Sequence, residues 1–287
     1  IAEKDKIVNN DTYQKLESLR KILEDEARIS GDKTYVAFGH FLVVGLAMSL
    51  LMVFLYFFRK NIYNNNRLLA IIYIVIIGML GVFSWALHLR VSSLYFIPYC
   101  GVPIIFRILF DTRVALNIHL LMVLITALFV PNSYDFVFLQ FMSGLVAIYS
   151  IKTMVKREQF LISSLLILAT YIIGHIGLVL TRNGSLGSIY WGDILPFFVS
   201  VGLTLLAYPL IYAFEKLFGI VSDLTLMELT NSNSKLLREL SLKAPGTFQH
   251  SLQVANLAEA AIYKIGGNSL LVRAGALYHD IGKIVNP

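Results

Sequence analysis

His279 and Asp280 form the only His-Asp dipeptide in the chain, and His250 lies 29 residues upstream. Two imidazoles and a carboxylate suit Mn, Fe, Zn and similar divalent metals, which accept nitrogen and oxygen donors together. On residue types and spacing alone the set is thin evidence, since a helical histidine is more often packed or solvated than bound to metal. The segment that carries it, residues 243–283, reads KAPGTFQHSLQVANLAEAAIYKIGGNSLLVRAGALYHDIGK. Two helices must position the donors. Pro245, Gly246 and Thr247 start the first, with Thr247 as N-cap, and His250, Val254, Leu257 and Ala261 then fall on one face. That spacing puts His250 on the buried stripe, where an imidazole needs a partner and a metal provides one. The second helix is predicted from about Ser269, burying Leu270, Leu271, Ala274, Leu277 and Ile281 and closing at Gly282. His279 and Asp280 are consecutive, about 100° apart around a helix axis, so they converge on one ion only near a helix end.

The strings APGTFQHSL, VANLAEAA and LYHDIGK resemble the HD-domain phosphohydrolases, in particular the membrane HD hydrolases of the PgpH type, which degrade cyclic di-AMP. The resemblance implies that His250, His279 and Asp280 are metal ligands, with Gln249 standing where the family usually has a second His. It also implies a cyclic dinucleotide substrate, cyclic di-AMP cut to linear pApA, and two divalent ions, Mn or Fe. In such a site Asp280 is the natural bridge between the ions, and Lys283 would offset charge on a phosphate oxygen. Taken by itself, Lys283 is a solvated lysine favoured by the helix dipole. Residues 214–240, FEKLFGIVSDLTLMELTNSNSKLLREL, look like the family's connector between membrane and catalytic domain. The family draws further His and Asp ligands from helices downstream. With Pro287 the last residue, the expectation is that the full-length parent is the hydrolase and that this chain alone is largely inactive.

The elements upstream are apolar. At 57% hydrophobic residues and a mean hydropathy of +0.70, against about 45–50% apolar for a soluble domain, the chain has more apolar surface than a globular core can bury. The predicted fold class is an all-α membrane protein, a polytopic bundle of about seven spans followed by the first helices of an α-helical HD domain. The apolar segments are 36–58, 68–88, 94–110, 114–130, 136–151, 160–180 and 194–214. A bilayer core needs about 20 helical residues, and four segments meet that. The third to fifth are 16 or 17 residues long, and the third carries Pro98, Pro103 and Arg107. These read as short tilted helices inside the bundle or as a re-entrant hairpin enclosed by protein.

Loop charges orient the bundle. Arg59, Lys60, Arg67, Arg107, Arg113, Lys152, Lys156 and Arg157 lie in or beside alternate connections, and the other connections carry only Arg90 and Arg182. Eight cations against two put the N-terminus outside and the HD stretch in the cytoplasm, and the family resemblance implies the cell membrane of a bacterium. The formal charge of +6 therefore reflects loop placement and implies no DNA or RNA partner. A single cysteine, Cys100, excludes an internal disulfide. The chain begins at Ile1 and is expected to be a piece of a longer protein.

The predicted organisation is the end of an extracytoplasmic domain over 1–35, a membrane domain over 36–214, a cytoplasmic connector over 215–243 and the N-terminal part of an HD domain over 244–287. Within the first region Leu16, Leu19, Leu23 and Ala27 mark an amphipathic helix with Asp11 as N-cap and Gly31 as stop. Inside the membrane, His40, His88, His119, His175 and Arg107 are costly to bury and mark contacts or pathways. His175, with Thr170 and Tyr171 on the same helix, is the strongest candidate for a ligand pocket, although a hydrogen-bonded packing role is the favoured reading. The absence of acids within the spans argues against a transporter. The connector reads as a continuation of the last span and then, from Thr225, as an amphipathic helix with Leu226, Leu229, Leu236, Leu237 and Leu240 apolar around a polar break at 231–234. The rival to a hydrolase is a seven-span receptor with a non-catalytic HD-like output domain. An extracytoplasmic ligand and self-association are the further partners in view, beside the lipid bilayer.

Overall fold

A computed structural model of the chain describes residues 13–14, 16–18, 20, 33–91, 93–151, 158–185, 187 and 191–285. All regular structure among them is helical. The chain separates into two units, Ile1–Leu50 and Leu51–Pro287. In the first, the described residues between 13 and 20 are helical, as the amphipathic pattern predicts. Asp11, Leu19, Leu23, Ala27 and Gly31 lie outside the described residues.

The membrane region comprises α1 (Lys33–Phe58), α2 (Asn66–His88), α3 (Gly101–Leu109), α4 (Thr112–Ala127), α5 (Ser133–Ser150), α6 (Glu158–Asn183), α7 (Leu195–Thr204) and α8 (Ala207–Phe218). By length and composition four helical stretches suffice to cross a membrane: Thr34–Phe58, Asn66–His88, Phe160–Asn183 and Leu195–Phe218. They present apolar side chains outward, with Trp85, Leu165 and Ile173 each at least 65% exposed, the reverse of a soluble protein and the pattern that lipid requires. Of the remaining three predicted spans, the third and fourth are too short to qualify on these grounds, and the fifth, α5, is long enough but carries too many polar residues, Asp135 and Gln140 among them. In the third, Leu94–Phe96 forms a 3₁₀ turn before Pro98, and α3 follows as nine residues of which seven are buried. With Arg107 as its one charged residue, α3 is otherwise apolar and packs among α4, α5 and α8.

Local chemistry sets the helix ends. Asn65 caps α2 by accepting from the Arg67 amide at 3.0 Å. Asp111 caps α4 through Oδ1, which accepts from the Arg113 and Val114 amides at 2.8 and 3.0 Å, while Oδ2 accepts from Arg59 Nε at 2.5 Å. The last span, predicted as continuous, turns at Leu205 and Leu206 instead. Pro209 is the cause, since it offers no N–H to the Leu205 carbonyl and its ring crowds that turn.

The centre of the bundle is polar. His119 is fully buried, and its Nε2–H donates to the Gln140 carbonyl at 2.9 Å. Tyr171 Oη donates to Gln140 Oε1 at 2.6 Å and lies 3.5 Å from Cys100 Sγ. Gly144 faces the imidazole, and any larger residue there would meet it.

Beyond the bundle, Gly219 ends α8 at φ 64°, a left-handed position that glycine adopts freely. The last span therefore continues into the predicted connector only over 215–218, as far as Phe218, and the connector goes on as α9 (Asp223–Leu229) and α10 (Lys235–Lys243) around the predicted break. Glu215 Oε1, buried on α8, accepts from the Ser222 amide and from Thr225 Oγ1, both at 2.8 Å. A carboxylate at a helix N-terminus also meets the positive end of the dipole. α9 packs against α3 on one side and against α12 (Ser269–Tyr278) on the other. Of the connector leucines, Leu226, Leu237 and Leu240 are buried, whereas Leu229 and Leu236 are exposed.

Candidate metal centre

Three elements bring the predicted donors together: α11 (Pro245–Ile265), α12, and the 3₁₀ turn Ile281–Ile284 that follows it. Pro245 opens α11 at its first position, where a missing N–H is harmless, so Ala244 is the N-cap and Thr247 already lies inside the helix. Gly266, at φ 78°, closes α11. Asn268 then caps α12 by accepting from the Leu271 amide at 3.0 Å. Leu237 of α10, Ala255 of α11 and Leu277 of α12 form a fully buried cluster with Phe248, Leu252, Ala276 and Tyr278 against it. Each leucine so buried contributes about 1.5–3 kcal/mol. Arg273 clamps the two long helices by pairing with Glu259 and donating to Asn256 Oδ1 at 3.0 Å.

The packed face of α11 differs from the predicted one. Ser251 and Ala255 are buried, while His250 is exposed and Leu257 is 73% exposed. Small residues let α11 approach α12 closely, so the contact follows side-chain size and not the hydropathic stripe. His250 thus faces solvent beside the second helix. On α12, Ala274 and Leu277 are buried as predicted, but Leu271 is exposed. Gly282 is not the closing residue either: α12 ends at Tyr278, His279 is its C-cap, and Gly282 sits inside the 3₁₀ turn.

His279 and Asp280 therefore occupy a helix end, where consecutive side chains can converge. One ligand atom each from His250, His279 and Asp280 lie within 4.8 Å of one another. The two imidazoles are 5.8 Å apart between ring centroids. His279 Nδ1 lies 2.7 Å from the Ala276 carbonyl, which can only accept, so Nδ1 carries the proton and Nε2 presents its lone pair. That nitrogen is 3.5 Å from Asp280 Oδ2. Lys283, half exposed, donates to Asp280 Oδ2 at 2.7 Å, and this hydrogen bond holds the carboxyl below the usual carboxylate range. Ligands bound tetrahedrally at about 2.0–2.2 Å stand about 3.3–3.6 Å apart around one ion, so side-chain shifts of about an ångström close the set. Two imidazole nitrogens and an ionised carboxylate fit a divalent transition metal. Three donors serve one ion.

Lys283 is paired with Asp280 and not free for a ligand, a contact its spacing of three residues makes visible in the sequence. Less visible is Tyr278 Oη, 3.1 Å from Ser234 Oγ across the connector break. Nothing in a sequence joins residues 44 apart, yet this bond ties the turn between α9 and α10 to the residue preceding His279.

A family model described as "7TM receptor with intracellular HD hydrolase" matches residues 34–222, and one described as "HD domain" matches residues 247–287. HD domains are metal-dependent hydrolases. The chain is 29% identical over 306 aligned positions to the cyclic-di-AMP phosphodiesterase PgpH of Listeria monocytogenes, covering 100% of this chain and 40% of that protein. It is 26% identical over 299 positions to the protein of the same name from Bacillus subtilis, covering 100% and 41%. An uncharacterised protein of Synechocystis is 43% identical over 124 positions, 42% of this chain and 15% of the relative. The chain thus spans about two fifths of the length of the two phosphodiesterases. No solved structure matches it.

Proposed function

This chain belongs to the family of 7TM receptors with an intracellular HD hydrolase, and from that premise we propose that the full-length protein is a membrane-anchored, metal-dependent phosphodiesterase that hydrolyses cyclic di-AMP to linear pApA under control of its membrane region. The observation that carries this reading is the convergence of His250, His279 and Asp280 from two helices onto one point. The substrate follows from the printed activity of the Listeria and Bacillus relatives. Seven spans, an extracytoplasmic N-terminus and a cytoplasmic HD domain in a bacterial cell membrane complete the proposal, on the loop-charge bias and the family description.

His250 and His279 would hold the metal through nitrogen and Asp280 through oxygen; a second ion needs donors beyond these three. When bound, divalent metal supplies Lewis acidity and lowers the pKa of water enough for hydroxide to be available near neutral pH. The chain's own contribution is positional. The Ala276 carbonyl fixes the tautomer of His279, the Leu237–Ala255–Leu277 cluster fixes the helix pair, and Lys283 keeps Asp280 ionised. Lys283 also stands one turn from the donors, ready to face a non-bridging phosphate oxygen once Asp280 is engaged by metal.

The test uses the full-length protein in lipid nanodiscs, with metal content by elemental analysis beside cyclic di-AMP turnover. Asp280→Ala is expected to lose metal and nearly all turnover. Lys283→Ala is expected to keep metal and to turn over about 10²–10³ times more slowly, the usual effect of removing one transition-state contact. Full metal occupancy with normal turnover in Asp280→Ala would overturn the proposal.

A further inference from the structure

The C-terminal ends of α2 and α6 and the N-terminal ends of α5 and α7 enclose a cavity of about 440 Å³, within the range of about 300–1,000 Å³ typical of small-molecule sites. It lies at the start of the last span, whereas the connector leaves from the other end of that span. Its walls are of two kinds. Phe136, Phe197 and Leu139 give an apolar side, with the Tyr95 ring 5.8 Å from Phe136 and 5.2 Å from Phe197. Arg90, Asp135, Asp193 and His175 give a polar side. Asp135 is paired with Arg182 at 2.6 Å, but neither Arg90 nor Asp193 has an ion pair among the described residues.

Two details indicate that the polar side serves a ligand. His175 Nε2 is shielded from solvent and has no hydrogen-bond partner in the protein, although its ring lines the cavity and packs edge-on against Phe197. Such an atom needs a partner. Arg90 holds φ 51° just after α2, a left-handed position where glycine is favoured. That conformation caps α2, the Arg90 and Val91 amides donating to the Leu87 and Ala86 carbonyls at 3.1 Å, and so fixes the position of Arg90 at the cavity.

The charges narrow the class. With Asp135 neutralised by Arg182, the charges at the cavity left without an ion pair among the described residues are one of each sign, Arg90 and Asp193, both open to solvent beside an aromatic wall. We propose that this cavity binds a zwitterionic small molecule of the α-amino acid class with an apolar or aromatic side chain. Its carboxylate pairs with Arg90 and its ammonium with Asp193. Its side chain lies against Phe136 and Phe197, with the His175 ring beside Phe197. Binding so assigned names the signal of the sensor reading above, and rests on that reading only for its purpose.

The probes are radiolabelled L-phenylalanine and L-leucine, measured by equilibrium dialysis on the full-length protein in lipid nanodiscs. Saturable binding of at least one of them is expected. Hydrocinnamate lacks the ammonium and phenethylamine lacks the carboxylate, and each should compete with it about tenfold less well. Arg90→Gly removes the cation while relieving the left-handed backbone, so it should fold at least as stably as wild type yet bind about tenfold or more weakly; Asp193→Asn should weaken binding similarly. No binding of either amino acid up to about 10 mM, or binding indifferent to both substitutions, overturns the proposal. Asp280→Ala should bind normally, so a failure here leaves the hydrolase reading standing and a failure there leaves this one.

Discussion

Replacing Gly144 by alanine puts a methyl group where His119 already is. A Cβ at position 144 lies 1.9 Å from His119 Nε2, 2.3 Å from Cδ2 and 2.6 Å from Cε1, far inside van der Waals contact. The imidazole cannot move without leaving the Gln140 carbonyl, 2.9 Å away in a fully enclosed site. Overpacking costs about 1–3 kcal/mol, and stranding a buried polar group adds about 1–3 kcal/mol. The better helix propensity of alanine returns no more than about 1 kcal/mol. The net destabilisation is therefore about 1–6 kcal/mol, or about 2–24 °C in unfolding midpoint for a domain of this size. The protein carries its own reporter: Cys100 is the single cysteine, wholly buried, and Tyr171 links it to Gln140. A thiol-reactive fluorophore will label it only as this region opens. Gly78→Ala is the control, since no heavy atom lies within 4 Å of its Cβ position, and it should unfold at or slightly above the wild-type temperature. Pairing His119→Ala with Gly144→Ala should destabilise by much less than the two single changes summed, because the clash is gone. If Gly144→Ala unfolds with Gly78→Ala, or the double variant shows no coupling, the packing argument fails.

Ser18→Cys should react with an impermeant thiol reagent on intact cells, against a silent background because Cys100 is enclosed; labelling only after lysis would reverse the topology and move the HD stretch out of the cytoplasm. Glu215→Ala removes the acceptor of the Ser222 amide and Thr225 hydroxyl, and should speed amide exchange over residues 219–230 by about tenfold or more, since a charged hydrogen bond contributes about 1.5–3 kcal/mol. Unchanged exchange there, read by mass spectrometry, would show that α9 is held by other contacts.

The convergence of His250, His279 and Asp280 was legible because sequence proximity and helix ends already constrain it: His279 and Asp280 are neighbours, and the loop at Gly266 folds α11 back along α12. The connector break at 231–234 was legible for a similar reason, four polar residues interrupting an apolar period. The side of α11 that packs was not. Hydropathy weights Leu257 above Ser251 and Ala255, but helices approach through their smallest residues, and that is a property of the pair. Pro209 announces the turn at Leu205 and Leu206, yet inside a long apolar run its effect is easily overlooked. Arg59 and Asp111 are 52 residues apart, and no local pattern joins them. Thr170, Tyr171 and His175 share a helix, but Thr170 is half-buried and bonds back to Leu166, Tyr171 turns to Gln140, and only His175 lines the cavity. That pocket is assembled from the ends of four helices, so its composition exists only in the folded chain.

α9 touches α3 in the bundle and α12 beside His279, and its start is anchored to α8 by Glu215. An element held at both ends couples in both directions, because linkage between two binding equilibria is reciprocal. If, under the proposed function, occupancy of the cavity beside α7 changes the affinity of the HD site for cyclic dinucleotide by some factor, the dinucleotide changes the affinity of that cavity by the same factor. A cell with abundant cyclic dinucleotide inside would thereby retune how sensitively it samples the medium. The receptor would then adapt to its own output with no further protein, and dose–response curves for an external ligand would shift along the concentration axis as the internal messenger rises.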